Sequence, residues 1–290
     1  PAHADAYSTL ASVYQSQGDY AKAIEYFQKH LALRPNSADI YLTIGDIYQS
    51  QGDYAKAIEY FQQAVKLRST RIDIYMKIGE NYLAAGNPAK AIDTFLTVTQ
   101  LNPAYADAYS TLASVYQSQG DYAKAIEYFQ KHLALRPNSA DIYFTLGNIY
   151  QSQGDYAKAI EYFQKHLALR PNSADIHFTL GNIYQSQGDN AKAIEYFQKT
   201  IQLNPAHADA YSTLASVYQS QGDYAKAIEY FQKHLALRPN SADIYFTLGN
   251  IFIIQGDKSN LLKQIDQLRS LNRMDLATTL EQDISSQPEE

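Results

Sequence analysis

A fixed period constrains this chain more than anything else in it. The words GDYAKAIEYFQ stand at 18–28, 52–62, 120–130, 154–164 and 222–232, and an altered copy, GDNAKAIEYFQ, stands at 188–198. Neighbouring copies are 34 residues, or a multiple of 34, apart. Such spacing marks stacked supersecondary units, each unable to bury its apolar face alone. It overrides the prior of about two globular domains that a chain of 290 residues carries, because stacked repeats grow in one dimension without a central core.

Residues 137–170 show how one unit is built. Pro137-Asn138-Ser139 is a breaker followed by two good N-cap residues, which predicts a helix from about Ala140. Ile142, Tyr143, Leu146, Ile149 and Tyr150 follow at helical spacing. Gly154 ends this helix, as the residue best suited to a left-handed C-terminal turn, and Asp155 caps the next. The second helix is predicted over Tyr156 to Leu169, with Ala159, Ile160, Phe163, Leu167 and Leu169 as its apolar face, and Pro171 stops it. Two helices of this length are marginal alone, so stability is expected from neighbouring copies.

The skeleton Tyr143, Leu146-Gly147, Tyr150, Ala159, Phe163 and Pro171 resembles the tetratricopeptide repeat at that family's spacing, and the likeness runs over residues 1–257. The resemblance implies an all-α, right-handed superhelical solenoid of stacked helix-turn-helix hairpins. Departures are modest. Ala11, Ala113 and Ala215 stand at the family's small glycine, and His30, His132, His166 and His234 at its small alanine. Seven full repeats and the first helix of an eighth are expected over 1–257. A degenerate second helix and a C-terminal capping helix are expected over 258–285, and a disordered tail over 286–290. Leu261, Leu262, Ile265 and Leu268 carry that second helix, and Met274 to Ile284 read as the amphipathic cap. No comparable cap precedes the first repeat.

A longer period overlies the first. Residues 1–34 and 205–238 are identical, and 103–136 differs from them only by Tyr105 in place of His3, giving a super-unit of 102 residues. The third copy, 69–102, diverges most: Ser69 replaces the boundary proline and AAGNPAKAIDTF replaces the usual turn and second-helix start.

Composition removes several functions. There is no cysteine, hence no disulfide, thiolate chemistry or zinc–sulfur site, which fits a reducing, cytoplasmic setting. The net charge of −6 speaks against nucleic acid, and −4 of it lies in 242–290, where four Lys/Arg face eight Asp/Glu. No apolar run approaches a membrane span of about 18 residues. The sequence opens at Pro1 without a methionine or a secretory leader, which leaves an upstream segment open. No phosphate-binding glycine loop, zinc-protease motif or nucleophile elbow is present, so no catalytic residue, metal ligand or cofactor is expected. His166 and its equivalents read as packed structural histidines, with a pH-sensitive joint as the alternative. Lys158, Glu161 and Lys165 read as a solvated face with weak helix pairs.

The informative stripe lies on the first helix, at Asp141, Phe144, Asn148 and Gln151. The family resemblance implies that this stripe lines a concave peptide groove. Its equivalents are Asp175, Phe178, Asn182 and Gln185, and Asp243, Phe246 and Asn250, with Asp107 and Asp209 also heading their helices. An aspartate in a first turn also complements the helix dipole, and the two roles are compatible. Copies one, four and seven carry Ser8/Ser12, Ser110/Ser114 and Ser212/Ser216 instead of Phe and Asn, and copies two and three carry Leu42/Asp46 and Met76/Glu80. An exposed Phe beside amides suits a bound peptide. Chaperone-tail members of the family grip a terminal carboxylate with Lys, Asn and Arg. Here Asp heads every copy and only Lys77 supplies a cation, so that ligand is disfavoured.

The expected function is a non-enzymatic scaffold that holds a neutral-to-basic protein or peptide segment with apolar anchors. The alternatives are the recognition or regulatory arm of a larger enzyme or complex, as in glycosyltransferases that carry such repeats, and a homo-oligomer assembled by end-to-end stacking. An RNA-reading repeat is disfavoured by the acidic stripe.

Overall fold

The structure, a computed structural model, describes residues 2–67 and 70–285, so Ser69 and the expected tail 286–290 lie outside the described residues. The described residues form helices and turns with no strand. The chain divides into two compact units, residues 1–142 and 143–290.

The first unit holds α1 (Ala2–Ser16), α2 (Tyr20–Leu33), α3 (Ala38–Ser50), α4 (Tyr54–Leu67), α5 (Ile72–Ala84), α6 (Pro88–Leu101), α7 (Ala106–Ser118) and α8 (Tyr122–Leu135). Its sequence ends in the first residues of α9 (Ala140–Ser152). The second unit continues through α10 (Tyr156–Leu169), α11 (Ala174–Ser186), α12 (Asn190–Leu203), α13 (Ala208–Ser220), α14 (Tyr224–Leu237), α15 (Ala242–Gln255), α16 (Lys258–Ser270) and α17 (Met274–Ser285). Within each unit, odd and even helices pair as hairpins and each hairpin leans on the next. The fold is therefore an all-α array of helical hairpins.

The predicted boundaries of α10 hold to the residue, for local reasons. Gly154 adopts φ 77°, and the Asp155 N–H reaches the Tyr150 carbonyl at 2.9 Å, closing a left-handed C-terminal turn. The Asp155 carboxylate then accepts from the Lys158 N–H at 3.2 Å and caps α10. The serine caps behave differently from expectation. Ser37, Ser173 and Ser241 occupy the N-cap positions of α3, α11 and α15 but make no side-chain cap bond. Their hydroxyls meet histidine instead. Nε2 of His30, His166 and His234 lies 3.0, 3.0 and 2.9 Å from the Ser37, Ser173 and Ser241 oxygens.

These histidines are buried, each about 5% exposed. Nδ1 of His30, His132 and His234 faces the carbonyls of Ala4, Ala106 and Ala208 at 2.7–2.9 Å, so one imidazole ties its own first helix to the start of the following repeat. This corrects the predicted apolar face of α10: Leu169 is 38% exposed, and His166 takes the inward position one turn after Phe163. Leu262 is likewise exposed, while Leu261, Ile265 and Leu268 are buried.

Phe27, Phe61, Phe95 and Phe129 are core rings of the first unit and Phe163, Phe197 and Phe231 of the second, all of them 2% exposed or less. Burying one such ring stabilises by about 1.5–3 kcal/mol. Beside the core phenylalanines, in six of the hairpins a tyrosine of the first helix stacks on one of its partner helix, as in Tyr116–Tyr128 at 5.6 Å and Tyr150–Tyr162 at 5.4 Å. Lys158 and Lys165 lie over Tyr150 and Tyr162 at 4.9 and 5.0 Å, and also pair with Asp155 and Glu161. Their stems thus cover aromatic surface while their charges stay wet.

Candidate functional site

The first helices carry the residues that differ between copies, and their scaffold positions them by simple periodicity. On α9, Asp141, Phe144 and Asn148 are exposed and Gln151 is half-buried. Phe144 is 39% exposed, and its ring tilts against Phe163 at 6.2 Å and His166 at 5.9 Å. On α11, Phe178, Asn182 and Gln185 are half-buried. The Phe178 ring lies 5.7 Å from Phe197 and 4.6 Å from the His207 imidazole, which stands over it. Phe246 and Asn250 on α15 are also half-buried, with Phe246 packed against the core of the second unit. Phe144 is therefore the most open of the three rings.

The head-of-helix aspartates are less free than a stripe of bare carboxylates. Asp5 pairs with Arg34 at 2.6 Å, Asp107 with Arg136 at 2.5 Å and Asp209 with Arg238 at 2.6 Å. In each pair the arginine closes the second helix of the same repeat. Asp73 is held by Arg71, which lowers its pKa through the hydrogen bond, and Arg71 also reaches Asp39 at 3.3 Å. Asp243 lies in the field of Arg273. At Asp175 the position of the closing arginine is taken by Asn204, whose side chain instead accepts from the Ala206 N–H at 3.1 Å. Lys77, the cation singled out from the sequence, is paired with Asp46.

In the first unit an open cleft of about 480 Å³ lies between α1 and α3. It is lined by Ser8, Ser12, Gln15, Thr43 and Asp46, with Phe27 beneath. Ser8 and Ser12 donate to the Asp5 and Ser8 carbonyls, which leaves their lone pairs as acceptors toward the cleft. None of the candidate residues, which are those of the Phe/Asn copies together with Asp107 and Asp209, lines this cleft. The signal was present in Ser8/Ser12 and Asp46, but a depression needs two neighbouring helices to be seen.

Two further residues were missed. His177 stands where the other copies carry tyrosine. Tyr109, Tyr211 and Tyr245 donate their hydroxyls to the Pro103, Pro205 and Pro239 carbonyls at 3.0–3.2 Å, a bond the shorter imidazole does not make. His177 is 8% exposed and its Nδ1 is buried with no partner. Desolvation, reinforced by Lys199, holds its pKa below the ordinary value. Asn81 is 1% exposed where the other copies carry Ile or Val. Its Nδ2 donates to the Lys77 carbonyl at 2.8 Å, and its Oδ1 has no partner.

No cluster of His, Cys, Asp or Glu suited to a metal ion occurs among the described residues. No helix among them is long and apolar enough to cross a membrane.

A family model described as tetratricopeptide repeat matches successive windows from 2–70 through 206–259. No curated protein matches the chain. Among solved structures, MamA is 31% identical over 57% of this chain and 96% of its own, with a TM-score of 0.50. The C-terminal part of a TPR repeat-containing protein from Cytophaga hutchinsonii is 23% identical, covers 81% of this chain and 97% of its own, and has a TM-score of 0.68. YrrB, described as a TPR protein with an unusual peptide-binding site, is 21% identical over 65% of this chain and 97% of its own, with a TM-score of 0.53. Repeat period, hairpin geometry and family match agree: the chain belongs to the tetratricopeptide repeat family and is built as a protein-interaction scaffold.

Proposed function

We propose that the chain is a non-catalytic scaffold that holds an extended peptide against the variable stripe of its first helices. One observation carries this reading. Phe144 leaves 39% of its surface in water at a position where sibling copies with the same second helix carry serine. An aromatic kept exposed on a scaffold that works without it is a contact surface, and the flanking Asn148 and Gln151 supply amides for a peptide backbone. Phe144 is the anchor, and Phe178 and Phe246 are secondary ones because their rings are already partly covered. Most head-of-helix aspartates face an arginine, so the preference for a basic segment is carried by Asp175 and is mild.

The test borrows the protein's own alternative words. Replacing Phe144 and Asn148 by Ser and Ser gives α9 the residues that α7 already carries at Ser110 and Ser114. Peptides selected on an array of extended dodecamers should lose at least ten-fold in affinity for Phe144→Ser/Asn148→Ser by isothermal titration. Undiminished affinity in that variant would remove the stripe from the reading.

A further inference from the structure

The third repeat lacks a ring that six other hairpins have. In those hairpins a tyrosine of the second helix meets two rings of the first, as Tyr162 meets Tyr143 at 6.3 Å and Tyr150 at 5.4 Å. The third repeat keeps both first-helix tyrosines, Tyr75 and Tyr82, but carries Thr94 in place of the ring between them. A hollow of about 380 Å³ opens there among α4, α5 and α6, with Tyr75, Tyr82 and Thr94 in its wall and Val65 and Ile78 adding apolar surface. The Thr94 and Thr97 hydroxyls donate to the Lys90 and Asp93 carbonyls of their own helix at 2.7 and 3.0 Å, so neither bond closes the hollow.

A cation has gone with the ring. In sibling hairpins Lys131, Lys165 and Lys233 pair with the glutamate one turn earlier at 2.6 Å. They also lie 4.7–5.0 Å over the tyrosine that Thr94 replaces. Thr97 stands at the lysine's position and Asp93 at the glutamate's. Asp93 is exposed at the rim of the hollow. Lys90 does not answer it: it lies over Tyr82 at 5.5 Å, the ordinary place of its counterpart Lys158 over Tyr150.

The hydroxyl's partner is still present. Gln28, on the preceding second helix, donates to the Tyr60 hydroxyl at 2.9 Å. Its counterpart Gln62 meets no phenol on α6 and donates to the Tyr82 hydroxyl at 3.3 Å instead. Lys66 lines the same wall, so α4 offers donors to the hollow and α6 offers a carboxylate.

We propose that this hollow binds a phenolic amine. Its hydroxyphenyl ring sits against Tyr75 and Tyr82 in the place of the missing tyrosine, its hydroxyl accepts from Gln62, and its ammonium pairs with Asp93. Ring against ring gives the tilted and offset contacts that aromatic pairs favour, and an ammonium near those faces adds a cation–π attraction. A phenol alone leaves Asp93 unanswered, and an amine without the hydroxyl leaves Gln62 where it is. The same two groups occur in a free amine such as tyramine and in a protein that begins with tyrosine. The site shares no residue with the Phe144 stripe, so the two readings fail separately.

Tyramine is titrated into the full chain labelled at its Thr, Val and Ile methyl groups and followed by NMR. Saturable shifts are expected at Thr94, Thr97 and Val65, with Thr43 and Thr111 unmoved. p-Cresol, which lacks the ammonium, and phenethylamine, which lacks the hydroxyl, should each bind at least three-fold more weakly. Thr94→Tyr restores the siblings' ring and should weaken tyramine at least ten-fold. Asp93→Asn should lower tyramine to the level of p-cresol. A peptide opening Tyr-Gly-Gly carries the same groups: tighter binding than tyramine assigns the site to a protein N-terminus, and weaker binding assigns it to a free amine. Absence of a saturable shift at Thr94 and Val65 in the parent chain overturns the proposal, and that reading needs no variant to fold. Tyramine binding that survives Thr94→Tyr also overturns it. Equal affinity for p-cresol and tyramine overturns the amine.

Discussion

α7 and α13 carry Ser110 with Ala113 and Ser212 with Ala215, whereas α9 and α11 carry Phe144 with Gly147 and Phe178 with Gly181. The pairing holds in every copy: Ser8 goes with Ala11, and Leu42, Met76 and Phe246 go with Gly45, Gly79 and Gly249. Its reason is steric. A Cβ on Gly147 or Gly181 would stand 2.5 Å from the ring of Phe163 or Phe197. Phe144 leans on that same ring from the solvent side and holds it against the glycine. A serine in place of Phe144 gives the ring room to withdraw from an alanine. A residue exposed to solvent and a glycine buried in the hairpin are thus chosen together, and the second helix stays the same.

Four substitutions test that contrast. Phe163→Ala removes the ring that both Gly147 and Phe144 rest on and should cost about 3–5 kcal/mol in urea unfolding. Among the described residues Phe129 has no second ring leaning on it, so Phe129→Ala should cost less, and the reverse order would contradict the account. Gly147→Ala alone should cost about 1–3 kcal/mol through overpacking. Added to Phe144→Ser, the same change should cost under about 1 kcal/mol, because that pair restores the words of α7. Equal penalties in the two backgrounds would show that the side chains do not cooperate.

The smallest effect concerns His177, the other departure in the Phe178 helix. His177→Tyr should add about 1 kcal/mol by supplying the hydroxyl bond that its siblings make to a proline carbonyl. It should also flatten a pH dependence. The folded imidazole titrates below its ordinary value near 6.5, so the unfolded chain binds a proton that the fold refuses. Stability is full above that value and falls as pH drops through it. Thermal melts at pH 7.5 and 5.5 should therefore diverge less for the tyrosine variant than for the parent. The same divergence in both would show that His177 does not carry the pH dependence.

Much of this was legible in the residues themselves. The hairpin boundaries, the turn at Gly154 and the cap at Asp155 are local, each decided by groups within about five positions of one another, and one copy of the repeat contains all of them. The variable stripe was legible for the same reason, since helical spacing alone puts Asp141, Phe144 and Asn148 on one side. Charge was the weaker inference. A row of aspartates reads as acidic until the arginine 29 residues later turns back onto it, as Arg136 does onto Asp107.

The repeat, the fold class and the place where copies differ follow from the residues alone, because periodicity and capping act over a few residues and need no neighbour. What each position feels came from the packing of helices against one another. It buried His166 and left Leu169 in water, laid His207 over Phe178, and left an unpartnered nitrogen at His177. Leu10 and Leu112 make the reason plain: they sit in the same words, yet one is 37% exposed and the other 0%. Burial is set by the helix standing opposite, and that helix is written elsewhere in the chain.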